Sequence, residues 1–125
     1  MNALIVEDNR AFRHSLHQLL TGYFPLMHVI EASDGAHALQ RALARRYDLV
    51  FMDVHLPDSS GLELTRRIKA VHADTRICVI TSYAIPEYKE VAFQSGADYF
   101  MVKGDTTEQQ IVAMIESLLA DRRDH

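Results

Sequence analysis

Carboxylate, hydroxyl and ammonium side chains stand directly after four short apolar runs of this sequence. Glu7 and Asp8 follow the first run, and Asp53 follows the third. Thr81 follows the fourth run, and Lys103 follows the fifth. These are the groups needed to transfer a phosphoryl group onto an aspartate: a carboxylate nucleophile, a lysine and a hydroxyl that contact phosphoryl oxygens, and further carboxylates for a metal ion.

Three carboxylates that converge on one place need a counter-charge. Two of them about 4 Å apart repel by roughly 4 kcal/mol at an effective dielectric constant near 20. A hard divalent cation removes this repulsion, and a site with few protein oxygen ligands suits Mg²⁺. Without Mg²⁺, repulsion from Asp53 is expected to raise the pKa of one carboxyl group in the set. The residue types therefore predict a magnesium-dependent site for a phosphoryl group.

The apolar runs alternate with segments of helical periodicity, which predicts five strand–helix units. Such alternation is typical of a parallel sheet with helices on both faces. The predicted fold is α/β, a doubly wound five-stranded parallel sheet of order 2-1-3-4-5 with five helices, which is the flavodoxin-like topology. Ligands of such sheets bind beyond the carboxyl ends of the strands, where the polar residues are expected to converge. The runs are Ala3–Val6, His28–Ala32, Leu49–Met52, Ile77–Ile80 and Asp98–Val102.

Helix boundaries are predicted from caps and breakers. Asn9 is predicted to cap the first helix and Gly22 to end it, while Pro86 opens the fourth helix and Gly96 closes it. Val71 is predicted to face inward at the end of the third helix. The predicted helices are Ala11–Leu20, Ala36–Arg46, Leu62–Val71, Glu87–Gln94 and one from Thr106 through Leu119.

Size and composition fit one globular domain of 125 residues, 48% apolar and 24% charged. We expect the domain to span residues 1–121, with residues 122–125 as a tail or the start of a linker. The single cysteine, Cys78, cannot form an internal disulfide, which favours a cytoplasmic location. Neither a signal peptide nor a membrane span is expected. The net charge of −4 argues against nucleic-acid binding by this segment.

In order and spacing, these residues resemble the response regulator receiver domain of bacterial two-component signalling, the CheY-like family. The resemblance extends from Met1 to about Ala120, and the Lys-Gly-Asp ending is similar to receivers attached to LuxR-type DNA-binding domains. Any one motif is weak, whereas the whole set in this order is specific. The motifs are Glu7-Asp8, the phrase from Asp48 to Pro57 that contains Asp53, then Gly61, Thr81-Ser82, Gly96-Ala97-Asp98 and Lys103.

The resemblance implies roles for these positions. Asp53 would be the phosphoacceptor, and Glu7, Asp8, Asp53 and the backbone of His55 would hold Mg²⁺. Thr81 and Lys103 would contact the phosphoryl group, and Phe100 would be an aromatic switch whose rotamer follows the Thr81 hydroxyl. The implied partners are a sensor histidine kinase or phosphotransfer protein and, after phosphorylation, a second copy of the chain. The domain would catalyse only its own phosphorylation and dephosphorylation.

Two positions depart from the commonest pattern of the family. Gly104 follows Lys103 where many receivers have a proline after a cis peptide, so the geometry of this loop is left open. His55 lies two residues after Asp53, where the side chain influences the lifetime of the phosphate by shielding the site or guiding water. Outside the motifs, His14 and His17 have the spacing of a metal pair but are expected to be solvent-exposed.

Other functions fit the residues less well. A small phosphatase with an aspartyl-phosphate intermediate would have a second aspartate where His55 stands, and would carry a cap insertion. A flavodoxin-like cofactor site would be repelled by Glu7 and Asp8. A phosphorylation-independent interaction domain would not need the full acidic set. The polar ending slightly favours the first piece of a longer regulator over a stand-alone receiver. Whether an output domain follows, such as a DNA-binding domain, is left open.

Overall fold

A computed structural model describes residues 1–123 as one five-stranded parallel sheet flanked by five helices. The strand order is β2-β1-β3-β4-β5, which confirms the predicted doubly wound arrangement. The strands are β1 (Asn2–Val6), β2 (His28–Ala32), β3 (Leu49–Asp53), β4 (Arg76–Thr81) and β5 (Tyr99–Val102). The helices are α1 (Arg10–Tyr23), α2 (Gly35–Ala44), α3 (Gly61–Val71), α4 (Pro86–Gln94) and α5 (Glu108–Arg123).

Successive residues of each strand pack into two separate cores, because side chains alternate between the faces of a sheet. One core packs against α2, α3 and α4, and the other packs against α1 and α5. All five residues of β3 are buried, which explains why this strand has no polar alternation before its last residue. The first core includes Leu4, Val50, Val79, Leu64 and Ile68. The second includes Ile5, Phe51, Ile80, Leu16 and Ile115.

Local hydrogen bonds account for the ends of α1 and α4. Asn9 caps α1 as predicted, since its side chain accepts a hydrogen bond from the backbone N–H of Phe12 at 2.9 Å. After α4, Gly96 has φ of +104°. Its N–H donates to the carbonyl of Phe93 at 3.1 Å, and the N–H of Ala97 donates to that of Ala92 at 3.0 Å. This is a Schellman ending, and it confirms Gly96 as the terminator.

Three predicted helix features are wrong. Gly22 lies inside α1 and does not adopt the left-handed conformation with which glycine ends a helix. The last helix begins at Glu108, because Thr107 and Gln110 form a reciprocal capping box: the Gln110 N–H donates to Thr107 Oγ1 at 3.2 Å, and the Thr107 N–H donates to Gln110 Oε1 at 2.8 Å. Val71 is 57% exposed, since the inward stripe continues four residues after Ile68 at the half-buried His72.

The second helix was predicted to end at Arg46. In the structure it ends two residues earlier, at Ala44, because the backbone of Arg45 is extended. Helix α5 runs to Arg123, into the stretch that we predicted as a tail, and residues 124–125 of that tail lie outside the described residues. Within residues 1–123, no helix has both the length and the apolar character needed to cross a lipid bilayer.

Candidate functional site

Neighbouring strands bring the polar residues to one edge of the sheet. Val6 of β1 pairs with Met52 of β3, so the residues that follow them, Glu7 and Asp53, emerge side by side. Asp53 pairs in turn with Ile80 of β4, directly before Thr81. The fifth strand completes the edge, because the N–H of Lys103 donates to the carbonyl of Thr81 at 2.8 Å.

Three carboxylates form a compact cluster at this edge. Glu7, Asp8 and Asp53 each offer one oxygen, and these oxygens lie within 4.8 Å of one another. Glu7 is fully buried and Asp53 is 4% exposed, whereas Asp8 is exposed to solvent. The donor set is hard oxygen only, open to water on the Asp8 side, which is the chemistry that Mg²⁺ prefers.

Lys103 brings an ammonium group to two of these carboxylates. Its Nζ pairs with Oε1 of Glu7 and lies 3.7 Å from Oδ2 of Asp53. The same Nζ stands 4.6 Å from the centroid of the Phe12 ring on α1, a cation–π distance. One ammonium is thus shared between two buried carboxylates. Phe12 was not predicted as a site residue, because no local pattern places its ring over a lysine from the opposite end of the chain.

Burial and crowding shift the titration of Glu7. Desolvation raises the pKa of its carboxyl group, and the contact with Asp53 raises it further. The ammonium of Lys103 and the N–H of Asn9, which donates to Oε2 at 3.1 Å, oppose this shift without cancelling it. The expected rise of a carboxyl pKa is found at Glu7, but its largest cause is burial, and Asp53 comes second. A carboxylate that is both buried and next to a second carboxylate resists ionisation, and a cation bound at the cluster would oppose this shift.

Gly61, the first residue of α3, fixes the backbone of Asp53. A Cβ atom added at Gly61 would stand 1.9 Å from the carbonyl oxygen of Asp53. The N–H of Gly61 donates to the carbonyl of Val54 at 2.8 Å, and the N–H of Val54 donates to that of Ile80 at 3.0 Å. Only a residue without a side chain permits this approach, which explains the glycine of the motif.

The loop after β3 is also fastened to α2. Both oxygens of Asp58 accept backbone hydrogen bonds at the start of that helix, from Gly35 at 2.7 Å and from Ala36 at 3.0 Å. These bonds, with that of Gly35 the strongest influence, lower the pKa of Asp58. The loop that carries His55 is thus attached to β4 through Val54 and to α2 through Asp58. Asp58 was not predicted as a capping residue, because the helix it caps lies more than twenty residues earlier.

His55 is exposed beside Asp53. Its backbone N–H donates a long hydrogen bond of 3.4 Å to Oδ1 of Asp53. Its imidazole ring makes edge contacts with Tyr83 and Tyr88, at centroid distances of 5.2 and 5.3 Å. Neither tyrosine was predicted to contact His55. They come from the loop before α4 and from α4 itself, and nothing local in their sequence indicates the contact.

Thr81 and Phe100 lie on the same face of the sheet, but on neighbouring strands. Thr81 is fully buried, and its Oγ1 accepts a hydrogen bond from the N–H of Tyr83 at 3.1 Å. Phe100 pairs in register with Val79 and is partly buried against the core that faces α4. Tyr99 packs on the opposite face of the sheet, because successive side chains of a strand alternate between the two faces.

The loop after Lys103 contains no cis peptide within the described chain. Gly104 instead has φ of +89°, a conformation that favours glycine. The geometry of this loop, which the sequence left open, is therefore a trans peptide between Lys103 and Gly104, with Gly104 in the left-handed conformation. His17, predicted to be solvent-exposed, is half-buried on α1, and its Nδ1 lies 2.5 Å from Oε2 of Glu31.

Residues 3–116 match the family described as the response regulator receiver domain, and this chain belongs to that family. The protein "Response regulator UvrY" of Escherichia coli O6:H1 is 31% identical over 123 residues, which cover 98% of this chain and 56% of that protein. The chain thus spans about half the length of the curated relatives it matches. It is the receiver portion that these relatives share with it.

Two solved structures add to the comparison. A two-component response regulator of the LuxR family from Aurantimonas sp. SI85-9A1 is 28% identical, with a TM-score of 0.85 and coverage of 96% of this chain and 85% of that one. A response regulator from Burkholderia pseudomallei, solved with a phosphorylated aspartic acid, a calcium ion and citrate, is 27% identical. Its TM-score is 0.77, over 98% of this chain and 71% of that one. The resemblance to CheY-like and LuxR-type receivers is confirmed.

Proposed function

We propose that this receiver domain is a phosphorylation-activated switch in which Asp53 accepts a phosphoryl group from a sensor histidine kinase or a phosphotransfer protein. The observation that carries the proposal is the cluster of Glu7, Asp8 and Asp53, with the ammonium of Lys103 beside Glu7 and Asp53. Membership of the receiver family supports the class of donor, and the phosphorylated aspartic acid of the Burkholderia relative supports the class of acceptor.

Mg²⁺ is the proposed cofactor. Glu7, Asp8 and Asp53 would hold it, together with the backbone of His55. The fit is supported by the all-oxygen donor set and by the raised pKa of Glu7, which burial and then Asp53 produce and which an added cation would reverse. When bound, Mg²⁺ would neutralise charge on the phosphoryl oxygens.

The proposed chemical step is a direct displacement. An oxygen of the Asp53 carboxylate attacks phosphorus, and a new O–P bond forms as the bond from phosphorus to the donor breaks. The donor leaves with that electron pair, as imidazole from phosphohistidine or as acetate from acetyl phosphate. Lys103, already 3.7 Å from Asp53, would contact a phosphoryl oxygen, and the Thr81 hydroxyl would donate to another.

We propose that the signal passes from Thr81 to Phe100. Thr81 would turn its hydroxyl from the Tyr83 N–H towards the phosphoryl group, and Phe100, on the same face, would fill the vacated space. A shift in the surface formed by α4, β5 and α5 would follow, with a phosphorylation-dependent homodimer or another partner as readout. Thr81→Ala is expected to accept phosphate but to lose the amide NMR shifts at Phe100 that a beryllofluoride mimic causes in the wild type.

The same proposal covers location and output. We propose that the domain works in the cytoplasm, together with its histidine kinase or phosphotransfer partner. We also propose that it controls a transcriptional output domain like those of LuxR-type regulators. The phosphatase alternative is not favoured, since His55 stands where such enzymes place a general acid.

Intact-protein mass spectrometry after incubation with acetyl phosphate and Mg²⁺ tests the phosphoacceptor. The wild type is expected to gain one phosphoryl group that hydroxylamine removes, and Asp53→Asn is expected to gain none. Asp74→Asn, which changes an exposed aspartate at the opposite edge of the sheet, is the matched control and should be labelled like the wild type. Full labelling of Asp53→Asn would refute the assignment.

A further inference from the structure

The guanidinium of Arg13 joins two parts of the molecule that meet beside the acidic cluster. Arg13 lies on α1, and its Nη1 donates to the backbone carbonyl of Glu7 at 2.8 Å. Its Nε donates to Oε1 of Glu31 on β2 at 2.7 Å. The Arg13 side chain is only 17% exposed, so that water competes little for either bond. The rigid fork of an arginine can serve two acceptors in fixed directions, which a lysine cannot do.

Glu31 anchors this arginine to the edge strand of the sheet. It pairs in register with Ile5 of β1, and its second oxygen contacts His17 one turn further along α1. Partial burial raises the pKa of Glu31, but hydrogen bonds from His17 and Arg13 outweigh this and lower it. The carboxylate is therefore held in its charged form between two α1 side chains, and it is a firm point of attachment for Arg13.

The carbonyl of Glu7 lies where strand pairing stops. The N–H of Glu7 still donates to the carbonyl of Ala32 at 3.0 Å, as the last backbone bond between β1 and β2. Beyond it the chain bends at Asp8. Arg13 holds the peptide group that joins Glu7 to Asp8, and the direction of that peptide sets where both side chains point.

We propose that Arg13, anchored by Glu31, is a positioning residue for the cation site: it touches no reacting group but fixes the segment that presents Glu7 and Asp8. The inference rests on the proposed function, since it concerns the same Mg²⁺. Residues that orient metal ligands typically change metal affinity about 10- to 100-fold when they are removed.

Isothermal titration of the folded protein with Mg²⁺ measures the effect directly. Arg13→Met, which keeps an apolar stem of similar length, is expected to raise the Mg²⁺ dissociation constant about tenfold or more. Glu31→Gln should raise it less, because Arg13 keeps its bond to the Glu7 carbonyl. Arg10→Met, which removes an exposed charge from the first turn of the same helix, controls for long-range electrostatics and should leave the constant within about twofold of wild type.

A second readout separates positioning from a general loss of structure. The rate of phosphorylation by acetyl phosphate, followed against Mg²⁺ concentration, should show a higher half-saturating concentration in Arg13→Met and an unchanged rate at saturation. A variant that merely unfolds in part would lose the saturating rate as well. Arg13→Lys should resemble Arg13→Met, since an ammonium is a point charge without the fork.

The outcomes distinguish the two proposals. Wild type that binds no Mg²⁺ would overturn the proposed cofactor and this inference together. Wild type that binds Mg²⁺, with Arg13→Met binding equally well, would overturn the inference and leave the proposed function intact. Weakening by Arg10→Met as large as that by Arg13→Met would also overturn it, because charge alone would then account for the effect.

Discussion

Both edges of the sheet carry carboxylates that are largely shielded from water, but the amino edge supplies more cations for them than the carboxyl edge does. Asp48 accepts a hydrogen bond from the N–H of Asn2 at 2.7 Å and pairs with Arg46 at 3.0 Å. Asp98 likewise accepts from the N–H of Ile77 at 2.9 Å. These carboxylates tie strands and loops together.

Asp98 also has cations of its own. Lys69 of α3 lies 3.0 Å from its Oδ2, and Arg76 of β4 lies 3.6 Å from its Oδ1. At the carboxyl edge, by contrast, Glu7 and Asp53 share the ammonium of Lys103, with Asp8 close by.

Carboxylates therefore have opposite effects on the stability of the native state at the two edges. A carboxylate with a backbone donor and a nearby cation stabilises the native state, whereas three crowded carboxylates beside one cation repel each other. A divalent cation would neutralise the negative charge at the carboxyl edge and would in turn attract an anionic phosphoryl donor. A local cost in stability at functional sites is a general pattern of natural proteins.

The largest effect on stability is expected where the backbone, not charge, fixes Asp53. Gly61→Ala would place a Cβ atom 1.9 Å from the Asp53 carbonyl oxygen, so one of the two segments must move. We expect a loss of about 3 kcal/mol in the free energy of unfolding, measured by urea denaturation. Gly22→Ala, in α1 with no atom within 4 Å of the added Cβ, should instead stabilise by about 0.5–1 kcal/mol. Equal effects would contradict the close approach.

Asp98→Asn tests the amino edge. The change removes the charge that serves Lys69 and Arg76 and weakens the bond to the Ile77 N–H, and we expect a loss of about 2 kcal/mol in unfolding free energy. Asp74→Asn, which breaks an ion pair of an aspartate that is 69% exposed, should cost no more than about 0.5 kcal/mol. If Asp98→Asn were neutral, the carboxylates of this edge would not be structural.

Asp53→Asn tests the carboxyl edge, with the opposite sign. Without Mg²⁺ it relieves the repulsion of Glu7, and we expect a gain of about 1 kcal/mol in unfolding free energy. The same urea denaturation series measures it. Destabilisation as large as that of Asp98→Asn would remove the contrast between the two edges.

Asp58 differs from the other carboxylates of the carboxyl edge, because backbone N–H groups donate to both of its oxygens. The bonds from Gly35 and Ala36 lower its pKa, so its contribution is present above the unfolded pKa of about 3.9 and is lost as pH falls through the folded value. Wild type and Asp58→Asn should thus differ in melting temperature at neutral pH. The difference should shrink below about pH 4, the smallest effect of the series. A difference that does not change with pH would exclude this role of the carboxylate.

Local sequence patterns predicted the parts of the fold that local bonds determine. The cap at Asn9 and the terminator at Gly96 were correct, because each acts within a few residues. Gly22 misled the prediction, since a glycine in the helical conformation looks the same in sequence as one that ends a helix. The converging carboxylates were predictable because parallel strands end at one edge.

Partners from distant parts of the chain could not be predicted. Arg13 reaches Glu31 and the carbonyl of Glu7 across two elements, and the rings of Tyr83 and Tyr88 meet that of His55 only when the loop before α4 folds back. These contacts depend on the angles at which helices lie on the sheet, and no short pattern encodes them.

The change in melting temperature caused by saturating Mg²⁺, measured in wild type, Asp53→Asn and Asp98→Asn, tests the contrast between the edges most directly. A ligand at 100 times its dissociation constant stabilises the native state by about 2.7 kcal/mol. We expect wild type and Asp98→Asn to gain equal increments, the second from a lower starting temperature, and Asp53→Asn to gain much less. An equal increment in Asp53→Asn, or none in wild type, would contradict the assignment of the carboxyl edge as a cation site.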